Sequence, residues 1–291
     1  MEKHLMDIVD AQLHLPTPAR PWQHGDESLP DLQIEILLAQ LDAAGVDSAV
    51  LVHTPHLFPA EVCIQAATAY PDRFATVLEY DESALDIAEQ IADIRHRPGV
   101  VGARINTIFP PANAERLRAG AYENLLSAAE THGVPVCVLA AGNLTDVADV
   151  ARTHPDLSLT IDHLGLAQPP FAPVDTSPWH GLDDLLSLAA LPNVAVKLSG
   201  APTLSTTGYP YPDIWPHLNR VLESFGVDRV MWGTDHHRIL GRFPGMDPLP
   251  KYPGYHSYAQ GLHYLLDNDQ LTIDEKAALL GGTTRRILNR S

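Results

Sequence analysis

The feature that most constrains this chain is an eightfold alternation. Short β-branched, apolar runs at residues 8–12, 48–53, 74–79, 100–105, 135–139, 157–162, 194–198 and 229–232 read as strands. Stretches with helical spacing of apolar residues lie between and after them, at 32–44, 60–70, 84–96, 115–132, 144–153, 182–191, 214–225, 258–266 and 274–288. Gly45, Pro71, Pro98, Gly133, Pro155 and Gly226 punctuate the helix ends. Strands alternating with helices predict a parallel α/β architecture. Eight units predict a closed (β/α)8 TIM barrel. An open doubly wound sheet usually carries a glycine-rich turn after its first strand, and here that turn reads Ala11-Gln12-Leu13-His14-Leu15. The 291 residues suit one such barrel, and no shift in composition marks a second, so residues 1–291 are expected to form a single domain.

Charge and composition exclude some functions. The formal net charge is −17 and no dense Lys/Arg cluster occurs, which argues against nucleic-acid partners. An anionic substrate would meet a repulsive global field and would need local cations. No uncharged apolar run approaches 18 residues and none resembles a signal peptide, so a cytoplasmic, membrane-free protein is expected. Cys63 and Cys137, both in apolar stretches, read as buried small hydrophobes. Self-association is left open.

Polar residues gather where the predicted strands end. Gln12 and His14 follow strand one, and His53 and His56 strand two. Arg104 and Asn106 close strand four, and Asp162 and His163 strand six. Lys197 and Ser199 follow strand seven, and Thr234, Asp235, His236 and His237 strand eight. A parallel barrel brings all these ends to one mouth, the face that carries active sites. Three Pro-rich stretches, 16–30, 168–178 and 243–254, follow strands one, six and eight and would overhang the same face. Trp22, Trp179, Tyr209, Tyr211 and Tyr255 in the long loops are candidates to wall a pocket.

The motifs D-A-Q-L-H (10–14), I-D-H-L-G (161–165), V-K-L-S-G (196–200) and M-W-G-T-D (231–235), with the closing L-L-G-G-T-T-R-R-I-L, resemble the amidohydrolase-2 branch of the amidohydrolase superfamily. That branch includes lactonases acting on pyrone dicarboxylates, muconolactones and sugar lactones, and nonoxidative decarboxylases. The resemblance implies a catalytic trio of His14, His163 and Asp235, the same three as ligands of one divalent metal such as zinc, or a site that works without metal. Gln12 stands where the family has the first histidine of a His-x-His pair, and strand five offers no histidine. An amide oxygen is a poorer zinc ligand than an imidazole.

The leading expectation is a hydrolase that opens the lactone of a small, anionic, carboxylated metabolite, with Asp235 as general base and then acid. Gln12, His53, His56, Arg104, Asn106, His236 and His237 are the expected substrate-binding residues, Arg104 because a guanidinium forks onto a carboxylate. One rival is a metal-dependent nonoxidative decarboxylase, against which the absence of a Glu before Gln12 speaks. Another is a barrel that binds a ligand without catalysis.

Overall fold

In the computed structural model, residues 6–15, 29–55, 57–169, 177–236 and 253–289 are described. His56, His237 and Trp22, and most of the three Pro-rich stretches, lie outside them. Eight strands form one parallel sheet in sequence order: β1 Val9–Leu13, β2 Ser48–Val52, β3 Phe74–Glu79, β4 Val100–Asn106, β5 Val136–Leu139, β6 Leu159–Ile161, β7 Val194–Lys197 and β8 Val230–Met231. Beyond the ladders, the Ala11 and Asp235 amides donate to the Trp232 and Gln12 carbonyls at 3.1 and 2.8 Å, tying the β8 end to β1 and closing the barrel.

Helices α1 (Leu29–Ala44), α2 (Ala60–Ala69), α3 (Ile87–Asp93), α4 (Asn113–Arg118), α5 (Glu123–His132), α6 (Leu144–Thr153), α7 (Leu182–Ser187) and α8 (Trp215–Phe225) fill the crossovers. Three more, α9 (Tyr258–Leu266), α10 (Ile273–Ala277) and α11 (Thr283–Ile287), end the fold. The stretch expected as one helix over 115–132 is two, because Gly120 adopts a left-handed φ of 78°. A backbone in that region cannot continue a right-handed helix. The last predicted helix is interrupted by a π-helical segment, Ala278–Gly282, whose Leu279 carbonyl accepts from the Trp232 amide at 2.9 Å. Ser257 and Thr272 cap α9 and α10 in reciprocal capping boxes with Gln260 and Glu275. No helix among the described residues is long and apolar enough to cross a membrane.

Two apolar cores follow from strand alternation. Outward residues such as Leu13, Leu51, Leu78, Ile105, Val138, Ile161 and Val196 pack against the helices in one large cluster. Ala11, Val50, Val77, Cys137, Ala195 and Met231 form a second, smaller cluster with Ile287 and Leu288 of the C-terminal segment. This second set is the apolar floor of the lumen.

Strand β1 breaks the alternation. Asp10 pairs with Ala49 but Leu13 with Leu51, so β1 spends one more residue than β2 over the same step. The bulge sets the faces. Asp10 points outward to Tyr258 of α9, Gln12 inward to Lys197, Leu13 outward to the helices and His14 inward to Asp235. Without the extra residue every side chain after it would face the other way.

The π-helical segment docks by close backbone approach. A Cβ on Gly281 would lie 2.2 Å from the Asp7 carbonyl oxygen, a backbone atom that cannot yield cheaply. Gly281→Ala should therefore destabilise the barrel by about 1–3 kcal/mol, the cost of overpacking, measured as a lowered urea midpoint with unchanged slope.

Candidate active site at the barrel mouth

The lumen above the apolar floor is ionic. Asp162, fully buried, is ion-paired through Oδ1 with Lys197 Nζ and accepts from Arg104 Nε on Oδ2, both at 2.9 Å. Arg104 also faces Glu79 at 3.6 Å. The two cations outweigh the desolvation of Asp162 and hold its carboxyl well below the usual carboxylate range. The same pairing keeps Lys197 charged, raising its pKa although burial alone would lower it. Lys197 Nζ further donates to Gln12 Oε1 at 2.8 Å and lies 3.3 Å from Cys137 Sγ.

Above this layer stand His14, His163 and Asp235. His14 Nδ1 lies 2.7 Å from the Val52 carbonyl oxygen, which can only accept, so Nδ1 carries a proton. Nε2 then meets Asp235 Oδ1 at 3.2 Å. His163 is set by Ser199, whose Oγ accepts from the His163 amide at 3.1 Å and lies 3.0 Å from Nδ1. His163 Nδ1 also lies 3.4 Å from the Ser199 carbonyl oxygen. Asp235 Oδ2 lies 3.6 Å from His163 Nδ1.

Two of the three residues sit in left-handed backbone. Asp235 has φ 53°, His163 φ 55° and Leu164, next to it, φ 59°. Such positions cost a non-glycine residue about 1–3 kcal/mol and gather where geometry serves function. The turn Asp162–Gly165 reverses the chain directly after β6. Asp162 can therefore point down into the ionic layer while His163 turns back into the mouth.

The other expected residues are less uniform. His53 is buried, and its Nε2 donates to the Phe58 carbonyl at 3.1 Å. Burial pushes its pKa down. Asn106 Oδ1 accepts from the Ile108 and Phe109 amides, shaping the loop after β4. Arg104 commits two nitrogens to Asp162 and Glu79. His236 packs edge-on against Tyr258 and near His256, at centroid distances of 5.5 and 6.2 Å. Ser199 was visible in the sequence only as a strand-end polar residue. Its partnership with His163 depends on the unusual turn and had no local signal.

The outward Asp10 gathers donors from both sides of the barrel seam. The Gln12 and Thr234 amides reach Oδ1, and the Thr234 hydroxyl and Tyr258 OH reach Oδ2. Desolvation outweighs these donors and pushes its pKa up to about 6.

A divalent ion can be tested against this donor set. Among the described residues no group of three or more His, Cys, Asp or Glu side chains is arranged to hold a metal. Gln12, the residue in the first-ligand position, already gives its oxygen to a buried ammonium. An ion reaching for that oxygen would meet a fixed positive charge. Among the described residues, the donors do not form a metal cage.

The site is a histidine-flanked aspartate among polar strand ends at the mouth of a closed parallel barrel. The chain matches the Amidohydro_2 model, described as amidohydrolase, over residues 9–290, and belongs to that family. It is 27% identical over 237 residues to a 4-sulfomuconolactone hydrolase of Rhizobium radiobacter, covering 78% of this chain and 74% of the relative. It is 40% identical over 98 residues to an L-fucono-1,5-lactonase of Burkholderia ambifaria, a match that spans 32% of this chain and 31% of that enzyme. The fold is shared with an amidohydrolase from Burkholderia multivorans solved with bound zinc, at TM-score 0.73 and 20% identity over 98% of this chain and 100% of the other.

Two outcomes follow. Asp162→Asn would leave two buried cations short of charge, so it should cost about 3–5 kcal/mol of unfolding free energy, read by urea titration. Asp10 acts in the opposite sense. Its carboxyl ionises in the unfolded chain near pH 3.8 and in the fold near pH 6, so stability falls as pH rises between these values, by about 3 kcal/mol. Asp10→Asn should stay folded and lose this slope in melts taken from pH 4 to 7.

Proposed function

We propose that this amidohydrolase opens a lactone by attack of water at the ring carbonyl, with Asp235 as general base and then general acid. The observation that carries the reading is the placement of Asp235: fully buried, in left-handed backbone, between His14 and His163. The relatives named as lactone-opening enzymes support the reaction class.

The geometry supports the following sequence. A water beside Asp235 gives its proton to the carboxylate as its oxygen bonds to the carbonyl carbon. The His163 imidazole faces the negative charge that develops on the carbonyl oxygen, while His14 holds the Asp235 carboxylate in place. Such preorganised donors are worth most in a dry site. The ring carbon–oxygen bond then breaks, and the proton held by Asp235 passes to the departing ring oxygen. The product is the open hydroxy acid, and every atom of the water is retained in it.

No step requires a metal, in keeping with the claim that Lys197 has on Gln12. The substrate is a small lactone. Because Arg104 is 3% exposed and ion-paired, a carboxylate on that substrate would find only the remainder of its guanidinium.

The test is ring opening of a panel that includes L-fucono-1,5-lactone and 4-sulfomuconolactone, followed by proton release. Asp235→Asn should lower kcat by about 10²–10⁴-fold with an unchanged melting temperature. Near-normal turnover in that variant would sink the mechanism. Elemental analysis should find substoichiometric zinc and manganese, and dialysis against a chelator should leave the rate unchanged. Stoichiometric metal whose removal abolishes activity would overturn the metal-free reading.

A further inference from the structure

Gln12 holds an orientation that chemistry alone assigns. An ammonium only donates, so the side-chain atom 2.8 Å from Lys197 Nζ is the amide oxygen. The NH2 group must therefore point the other way. That nitrogen is buried and has no hydrogen-bond partner among the described residues, and Gln12 as a whole is 0% exposed. A bare donor in a dry interior is costly, and proteins keep one where something else comes to meet it. The location says what. The Gln12 carbonyl accepts from the Asp235 amide at 2.8 Å, and two residues along the strand His14 touches the Asp235 carboxylate. The Gln12 backbone thus lies directly beside that of the general base.

We propose that Lys197 is a positioning residue that locks the Gln12 side chain with its amide N–H toward the mouth, where that N–H donates to the carbonyl oxygen of the bound lactone. This rests on the lactone-opening reading and adds to it the electrophilic half of the site. Lys197 itself is 0% exposed and does not touch substrate. It acts through the amide, whose oxygen it binds and whose N–H it thereby makes a stronger donor. As the carbonyl oxygen becomes an oxyanion, the contact tightens without the protein having to move. Asp162 matters at one further remove, since it anchors the ammonium at 2.9 Å.

The test uses the full chain and a lactone that the wild-type enzyme opens. Gln12→Met keeps the length of the side chain and removes the donor. It should lower kcat by about 10²–10³-fold, the loss typical of one oxyanion donor, with KM within about threefold. Gln12→Glu keeps the oxygen for Lys197 and lacks the N–H. It should fall as far and serves if the methionine variant does not fold. Lys197→Met frees the amide to turn and should lower kcat by about tenfold. The double variant Lys197→Met/Gln12→Met should be no slower than Gln12→Met alone, because the lysine works only through the glutamine. A purely structural pair would instead multiply its rate losses. Either that multiplicative pattern or a Gln12→Met enzyme within threefold of the wild-type kcat overturns this inference while leaving lactone opening intact. A wild-type enzyme that opens no lactone in the panel overturns the proposed function, and this inference with it.

Discussion

The carboxylate of Asp162, held between Lys197 and Arg104, is the interaction on which the rest of the lumen depends. Three strands converge there: β4 supplies the guanidinium, β7 the ammonium, and the end of β6 the carboxylate. Any one of these charges alone would be untenable at this depth, and together they neutralise one another. The network also sets the direction of the chain. With Asp162 committed downward, the backbone must reverse at once to return His163 to the mouth, and it does so through two successive left-handed residues. Ser199 secures that reversal by binding both the amide and the ring of His163.

The bulge in β1 is the counterpart on the other side of the barrel. A regular strand would give Asp10, Gln12 and His14 one common face. The extra residue separates them, so that Asp10 serves the seam with α9 while Gln12 and His14 enter the lumen. The same short segment thus closes the barrel, orients the ionic layer and presents an imidazole to Asp235. Placing these tasks on one strand couples them: a shift of β1 by one residue would undo closure and site together.

The architecture was legible because period-2 and period-3.6 patterns differ sharply over eight repeats. The convergence of strand ends then followed from topology alone. The family resemblance named the trio His14, His163 and Asp235 and marked Gln12 as a departure. What stayed hidden depends on contacts between distant residues. Nothing near Lys197 announces that its partner in space is Gln12, 185 positions away. Arg104 looked like a substrate clamp because sequence shows an unpaired guanidinium, whereas the fold brings Asp162 to it. Gly120 and the π-helical segment escaped because apolar spacing runs on through both breaks. The bulge escaped because D-A-Q-L-H gives no local sign of which of its residues is the extra one.

The departure at Gln12 gains a physical meaning from its surroundings. A histidine there would offer the lumen a lone pair suited to a cation. A glutamine whose oxygen is held by Lys197 turns its amide N–H group away from that cation. Polarising a carbonyl needs positive potential near its oxygen, and an ion is only one way to supply it. An ammonium buried beside Asp162 supplies a charge that the protein carries in its own sequence, paired strongly enough to resist deprotonation. The cost falls on stability, through the desolvation of the charges in the layer. The return is an interior whose polarity runs in order, from an apolar floor through fixed ions to His14 and Asp235 at the mouth.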